Sequence, residues 1–175
     1  MEGQQQPIIV KLSPDDWQSY KELRLKALKE EPAAFGKSFE EELETTENQW
    51  REKLREAEEG KRKWLLFAKN KDTLVGMVGA YTEKEIKVEH IANIVGMYVA
   101  PEARGRGVAS ELLKAILKEI GNNPKVVKIS LRVNTRQTHA IKLYEAHDFK
   151  KVAQLEKELN IEGDYQDEYE MCLFT

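Results

Sequence analysis

Between residues 91 and 121 the chain reads IANIVGMYVAPEARGRGVASELLKAILKEIG, and few folds can hold those residues in that order. Residues 91–99 are largely apolar, with β-branched Ile94, Val95 and Val99, as in a strand buried on both faces. Pro101 cannot continue a ladder, and Gly105 and Gly107 admit backbone conformations closed to other residues. From Ala109 onward Leu112, Leu113, Ile116, Leu117 and Ile120 recur at helical spacing. A strand therefore runs through a glycine turn straight into an amphipathic helix.

That order makes an anion site. The first turn of a helix carries N–H groups without intrahelical partners at the positive end of the macrodipole, and glycines let a phosphate come close to them. Arg104 and Arg106 add charged donors beside the turn, which favours a pyrophosphate over a lone carboxylate. Neither familiar phosphate loop fits. There is no G-x-x-x-x-G-K-[ST], and Gly105-x-Gly107 lacks the third glycine of the dinucleotide fingerprint.

With 175 residues, the chain suits one domain over 1–175, residues 1–6 reading as a flexible tail. Its 28 basic and 31 acidic residues leave a net charge of −3, which argues against a nucleic-acid partner. No apolar run approaches the length of a membrane span and no basic-then-apolar leader opens the chain, so no membrane partner and a cytoplasmic location are expected. Cys172 is the only cysteine and lies in an alternating strand pattern, where core packing is expected of it. The three histidines and the acidic residues show no metal-ligand spacing, so no metal is expected.

Taken in order, residues 8–12 read as a strand, and Ser13-Pro14-Asp15-Asp16 opens a helix bearing Trp17, Tyr20, Leu23, Ala27 and Leu28 on one face, with Arg24 on or beside it. That helix stops at Glu31-Pro32, and residues 32–36 form a loop. Thr45 or Thr46 caps a second helix with Trp50, Leu54 and Ala57, ended by Gly60; Phe35 and Trp50 read as core. Residues 64–68 and 73–82 form a hairpin, whose second strand contains Gly76 and Gly79, marks of a bulge or a close approach. After the central helix, 126–133 is a strand, 136–146 a helix, and 152–161 with 165–174 a closing hairpin. One α/β domain with mixed strands and a parallel pair at its centre is the expected class.

Arg104-x-x-Gly107-x-Ala109, following Met97-Tyr98-Val99-x-Pro101-Glu102, resembles the coenzyme A motif of the GNAT superfamily of acetyl-CoA-dependent N-acetyltransferases. Ala140-Ile141-x-Leu143-Tyr144-Glu145-x-x-x-Phe149 resembles a second motif of that family, and residues 24–36 resemble the opening of many bacterial members. The resemblance implies a GNAT fold: a mixed sheet of six or seven strands splayed between the fourth and fifth, flanked by about four helices. It also implies transfer of an acetyl group from acetyl-CoA to a primary amine, by direct attack on the thioester without an acyl-enzyme. A non-catalytic acyl-CoA-binding module is the alternative. The acceptor is a small-molecule or protein amine, and a homodimer is left open.

Site residues follow from the same resemblance. Main-chain groups of Met97, Tyr98 and Val99 are expected to bond pantetheine, and Arg104, Gly105, Arg106, Gly107, Val108, Ala109 and Ser110 to hold the pyrophosphate. Tyr144 fits the position of the proton donor to the departing thiolate. Two departures stand out, Asp148 in place of a glycine and Gln137 in place of an asparagine, so that Gln137 or the nearby Asn134 is expected at the pantetheine amide. For the base, Glu89, His90, Glu41 and Glu42 are candidates, while His139 and His147 have no matched role.

Overall fold

The computed structural model describes residues 6–175. The tail expected over 1–6 lies, apart from Gln6, outside the described residues. Seven strands form one sheet in the order β1-β2-β3-β4-β5-β7-β6, with β1 Ile8–Val10, β2 Lys63–Asn70, β3 Thr73–Thr82, β4 Ile91–Val99, β5 Lys128–Asn134, β6 Lys150–Ile161 and β7 Asp164–Phe174. All neighbours are antiparallel except β4 and β5, whose parallel pairing requires the crossover through a helix. The expected mixed sheet with a central parallel pair is what forms.

Five α-helices flank it: α1 Trp17–Glu30, α2 Phe39–Leu43, α3 Glu47–Glu59, α4 Val108–Gly121 and α5 Thr138–Glu145. The expectation of about four helices missed α2, whose five residues are too few to show a period. Its signal was a capping box. Ser38 Oγ accepts from the Glu41 N–H at 3.2 Å, and the Glu41 carboxylate accepts from the Ser38 N–H at 2.7 Å.

The helices divide between the two faces. On one, α4 buries Leu112, Leu113, Ile116 and Ile120 completely, each worth about 1.5–3 kcal/mol, and this fixes the turn at its start against the sheet. On the other, α1 and α3 cover β2 and β3, where the Tyr20 ring meets Trp50 at 4.9 Å and Phe67 at 5.2 Å, both edge-on. Midway along β4, however, Val95 remains 46% exposed. The strand is therefore not buried on both faces along its whole length, as its apolar run had implied.

Gly76 is the close approach its place in a strand had signalled. A Cβ there would stand 3.0 Å from Leu112 Cδ1 and 3.1 Å from the Tyr98 carbonyl oxygen. Gly76→Ala should therefore destabilise the protein by about 1–3 kcal/mol in urea unfolding, as overpacked sites do. Gly36→Ala, which meets nothing within 4 Å, should leave the unfolding midpoint close to the parent value.

Candidate active site

The parallel ladder runs only from Ile91 and Lys128 to Ile94 and Leu131. Beyond it β5 stays paired with β7 as far as Asn134 and β4 stays paired with β3 as far as Val99, so the two central strands part. Their separation begins beside a bulge. Gly79 pairs with Val95 and Met77 with Tyr98, leaving one more residue on β4 than on β3 across that interval. Gly96 absorbs it with φ of +65°, in the left-handed region that favours glycine. From Val95 to Val99, the edge of β4 that faces β5 has no strand partner among the described residues. This is the splay that the sequence led one to expect.

The splay leads into the glycine turn. After β4 come a 3₁₀ turn over Pro101–Ala103, then Gly105 at φ +73° and Gly107 at φ +78°, the latter at the N-cap of α4. Nothing lies within 4 Å of where a Cβ on either glycine would stand, so they serve backbone conformation and leave the front of the turn open. The N–H groups of Val108, Ala109 and Ser110, in the first turn of α4, point out of the helix without intrahelical partners. An extended diphosphate-bearing ligand fits this arrangement: a strand edge to bond along, then a helix N-terminus to end on.

The two arginines of the turn differ. Arg104 Nε donates to the Val99 carbonyl at 2.9 Å and its Nη2 to Glu31 Oε1 at 2.9 Å, which ties the turn to the ends of β4 and α1. Arg106 makes no hydrogen bond or ion pair with any described residue, so its donors are unspent. Of the residues expected to bond pantetheine through the main chain, Met97 and Val99 are half-buried, whereas Tyr98 is buried with its hydroxyl donating to the Glu30 carboxylate.

Tyr144 stands on α5, its ring 5.9 Å from Phe149 and only 5% of the residue exposed. Asp148 takes the left-handed turn into Phe149 at φ +67°, as the replacement of a glycine there requires. The Tyr144 hydroxyl has no partner among the described residues. No fully buried side-chain polar atom goes unpaired among them, so this oxygen reaches the surface. Burial pushes the phenol above its ordinary range, keeping it protonated across all neutral pH.

His147, which had no role in the sequence, joins the two helices of the site. Its Nδ1 lies 2.9 Å from the Leu143 carbonyl and its Nε2 3.1 Å from Ser110 Oγ. A carbonyl only accepts, so Nδ1 carries the proton, and in the neutral ring Nε2 accepts from Ser110. α5 is thereby fastened to the first turn of α4, on the α4 side of the sheet. Local sequence offered no signal for this link, since its partners are 37 residues apart.

Asn134 and Gln137 separate clearly. The Asn134 amide is spent, its Nδ2 donating to Gln166 at 2.5 Å and its Oδ1 accepting from the Arg136 N–H at 2.9 Å. The residue is 1% exposed. Gln137, half-buried at the start of α5, makes no side-chain hydrogen bond with the described residues and has its amide free.

The base candidates fare unequally. Glu89 is engaged by Lys125 at 3.1 Å, and Glu41 is an exposed cap of α2. Glu42 is buried and ringed by cations: Lys53 Nζ at 2.6 Å, Arg24 Nε at 3.5 Å and Lys37 Nζ at 3.7 Å. Burial opposes its ionisation, but the Lys53 hydrogen bond and the three charges outweigh burial and hold the carboxyl below the ordinary range. A carboxylate so stabilised is a poor proton acceptor. Among the described residues no group of His, Cys, Asp and Glu is arranged to hold a metal ion, and no helix is long and apolar enough to cross a membrane. Cys172, 1% exposed, packs beside Ser130 with 3.7 Å between Sγ and Oγ.

The sequence profile of the Acetyltransferase (GNAT) family matches residues 22–149. The chain belongs to the GNAT acetyltransferase family. Solved structures of the same fold include an acetyltransferase of the GNAT family from Streptococcus pneumoniae, at TM-score 0.88 and 20% identity over 97% of this chain and 99% of that one. A spermidine N-acetyltransferase from Vibrio cholerae, in complex with CoA and spermine, superposes at TM-score 0.75 and 20% identity over 97% and 95%. A phosphinothricin acetyltransferase from Sinorhizobium meliloti, in complex with acetyl-CoA, superposes at TM-score 0.81 and 15% identity over 97% and 89%. No curated protein sequence matches. At these identities the neighbours speak for the fold.

The charge cluster at Glu42 yields a test of its own. A carboxyl held below its unfolded value of about 4.3 adds stability that is present above that value and lost as pH falls through the folded one. Glu42→Gln should lower stability by about 1–3 kcal/mol at neutral pH. In urea unfolding repeated down the pH scale, parent and variant should converge below about pH 4.

Proposed function

We propose that this GNAT acetyltransferase moves an acetyl group from acetyl-CoA to a primary amine by direct attack on the thioester. The observation that carries the reading is the unpaired β4 edge running without interruption into the open glycine turn and the N-terminus of α4. Acetyl-CoA is the cosubstrate. In this reading its pantetheine lies along residues 97–99 with the Gln137 amide opposite, and its pyrophosphate meets the N–H groups of Val108, Ala109 and Ser110 and the free guanidinium of Arg106. Arg104, already bonded to Val99 and Glu31, holds the turn in shape beside them.

The amine nitrogen forms its bond to the carbonyl carbon as negative charge grows on the carbonyl oxygen, and backbone donors at the Gly96 bulge are suited to receive that charge. The C–S bond then breaks. Tyr144, whose hydroxyl has no partner among the described residues, gives a proton to the leaving sulfur, and the surplus proton of the amine passes to water. Cys172 takes no part, being sealed in the sheet.

Consumption of acetyl-CoA with a panel of amines is the first test, and no turnover with any of them would sink the reading. Tyr144→Phe keeps the ring, so the affinity for CoA should hold while kcat falls about 10²–10⁴-fold. Because burial raises the Tyr144 phenol, parent activity should not lose this donor until pH exceeds the ordinary tyrosine range near ~10. Arg106→Ala should raise the KM for acetyl-CoA about 10- to 100-fold, the worth of a hydrogen bond to a charged group, and leave the KM for the amine unchanged.

A further inference from the structure

Arg24 is set against the bulge where the central strands part. Its Nη1 lies 3.6 Å from where a Cβ on Gly96 would stand. The guanidinium is stacked on Phe35, 4.4 Å from the ring centroid, so its plane is fixed by packing. Only 15% of the side chain is exposed. Yet its donors are unspent: Glu42 forms an ion pair with Nε at 3.5 Å, and no N–H of Arg24 makes a hydrogen bond to a described residue. Since no fully buried polar atom among the described residues lacks a partner, these donors open onto the surface.

Glu42 is shared by Arg24, Lys37 and Lys53, so this one carboxylate does not satisfy the Arg24 guanidinium. The carboxylates at the end of α1 are spent elsewhere, Glu30 on the Tyr98 hydroxyl and Glu31 on Arg104. Arg24 reaches Gly96 from α1, on the face of the sheet opposite α4, whereas Tyr144 is fastened to the α4 side through His147. The side from which an amine would approach the bulge therefore carries a rigid guanidinium with unspent N–H donors.

We propose that Arg24 receives a carboxylate carried by the acceptor, so that the preferred acceptors are amino acids or related amino-carboxylates. Two parallel N–H···O bonds from a guanidinium fit a carboxylate's two oxygens, and Phe35 holds the fork still for them. A polyamine has no carboxylate to offer that fork, and its cations would face the guanidinium. This inference rests on the acetyl-transfer reading and adds to it the chemical class of acceptor.

The test compares free amino acids with their own carboxamides, and both with spermidine, as acceptors for acetyl-CoA consumption. The unaltered protein should favour an amino acid over its amide by about 10- to 100-fold in kcat/KM, the effect of losing a bond to a charged group. In Arg24→Gln that ratio should fall to about one, with CoA affinity unchanged, and Arg24→Lys should restore part of it. Thermal melting checks that each variant folds. If the unaltered protein prefers amides or spermidine, or if Arg24→Gln slows acids and amides equally, the carboxylate role is overturned, the second outcome pointing to the thioester oxygen instead. Turnover in either of those cases leaves the acetyl-transfer reading standing. No turnover with any acceptor removes both.

Discussion

The parting of two parallel strands governs this structure. Had β4 and β5 remained paired to their ends, the edge from Val95 to Val99 would be sealed by a ladder and the glycine turn would receive nothing but the chain itself. One extra residue at Gly96 bends β4 and increases its twist, and the sheet gives up several inter-strand hydrogen bonds as a result. Such a loss is tolerable only if the surroundings are fixed. Here α4 supplies that rigidity from one face through fully buried Leu112, Leu113, Ile116 and Ile120, and α1 from the other through Tyr20.

Much of this could be read from the residues because it is contiguous. The glycine turn, both arginines and the helix that follows lie within one stretch, where each feature has a local physical cause: proline ending a ladder, glycine allowing positive φ, an apolar period of a helix. The pattern around Tyr144 is equally local. Even the replacement of glycine by Asp148 was interpretable, since a short polar side chain tolerates the left-handed turn that residue makes.

What stayed hidden depends on contacts between distant residues. A glycine in a strand signals either a bulge or a tight neighbour, and sequence does not say which. Gly76 was the tight neighbour, under Leu112, while Gly79 flanks the bulge against β4, whose extra residue Gly96 absorbs across the ladder. Glu42 was one of four candidates for the base, and the fold buries it among three cations drawn from α1, α3 and the loop before α2. The exposure of Val95 was likewise beyond a run of apolar letters, since it depends on which distant residues pack over the strand.

The bond between Ser110 and His147 reaches further than its single contact. It joins the helix that begins at the glycine turn to the helix that carries Tyr144, and it draws on the very turn of α4 whose N–H groups face outward. The other ring nitrogen is held by the Leu143 carbonyl, one residue before Tyr144. The imidazole thus braces the start of α4 against α5, and neither helix can shift alone without breaking one of its two contacts.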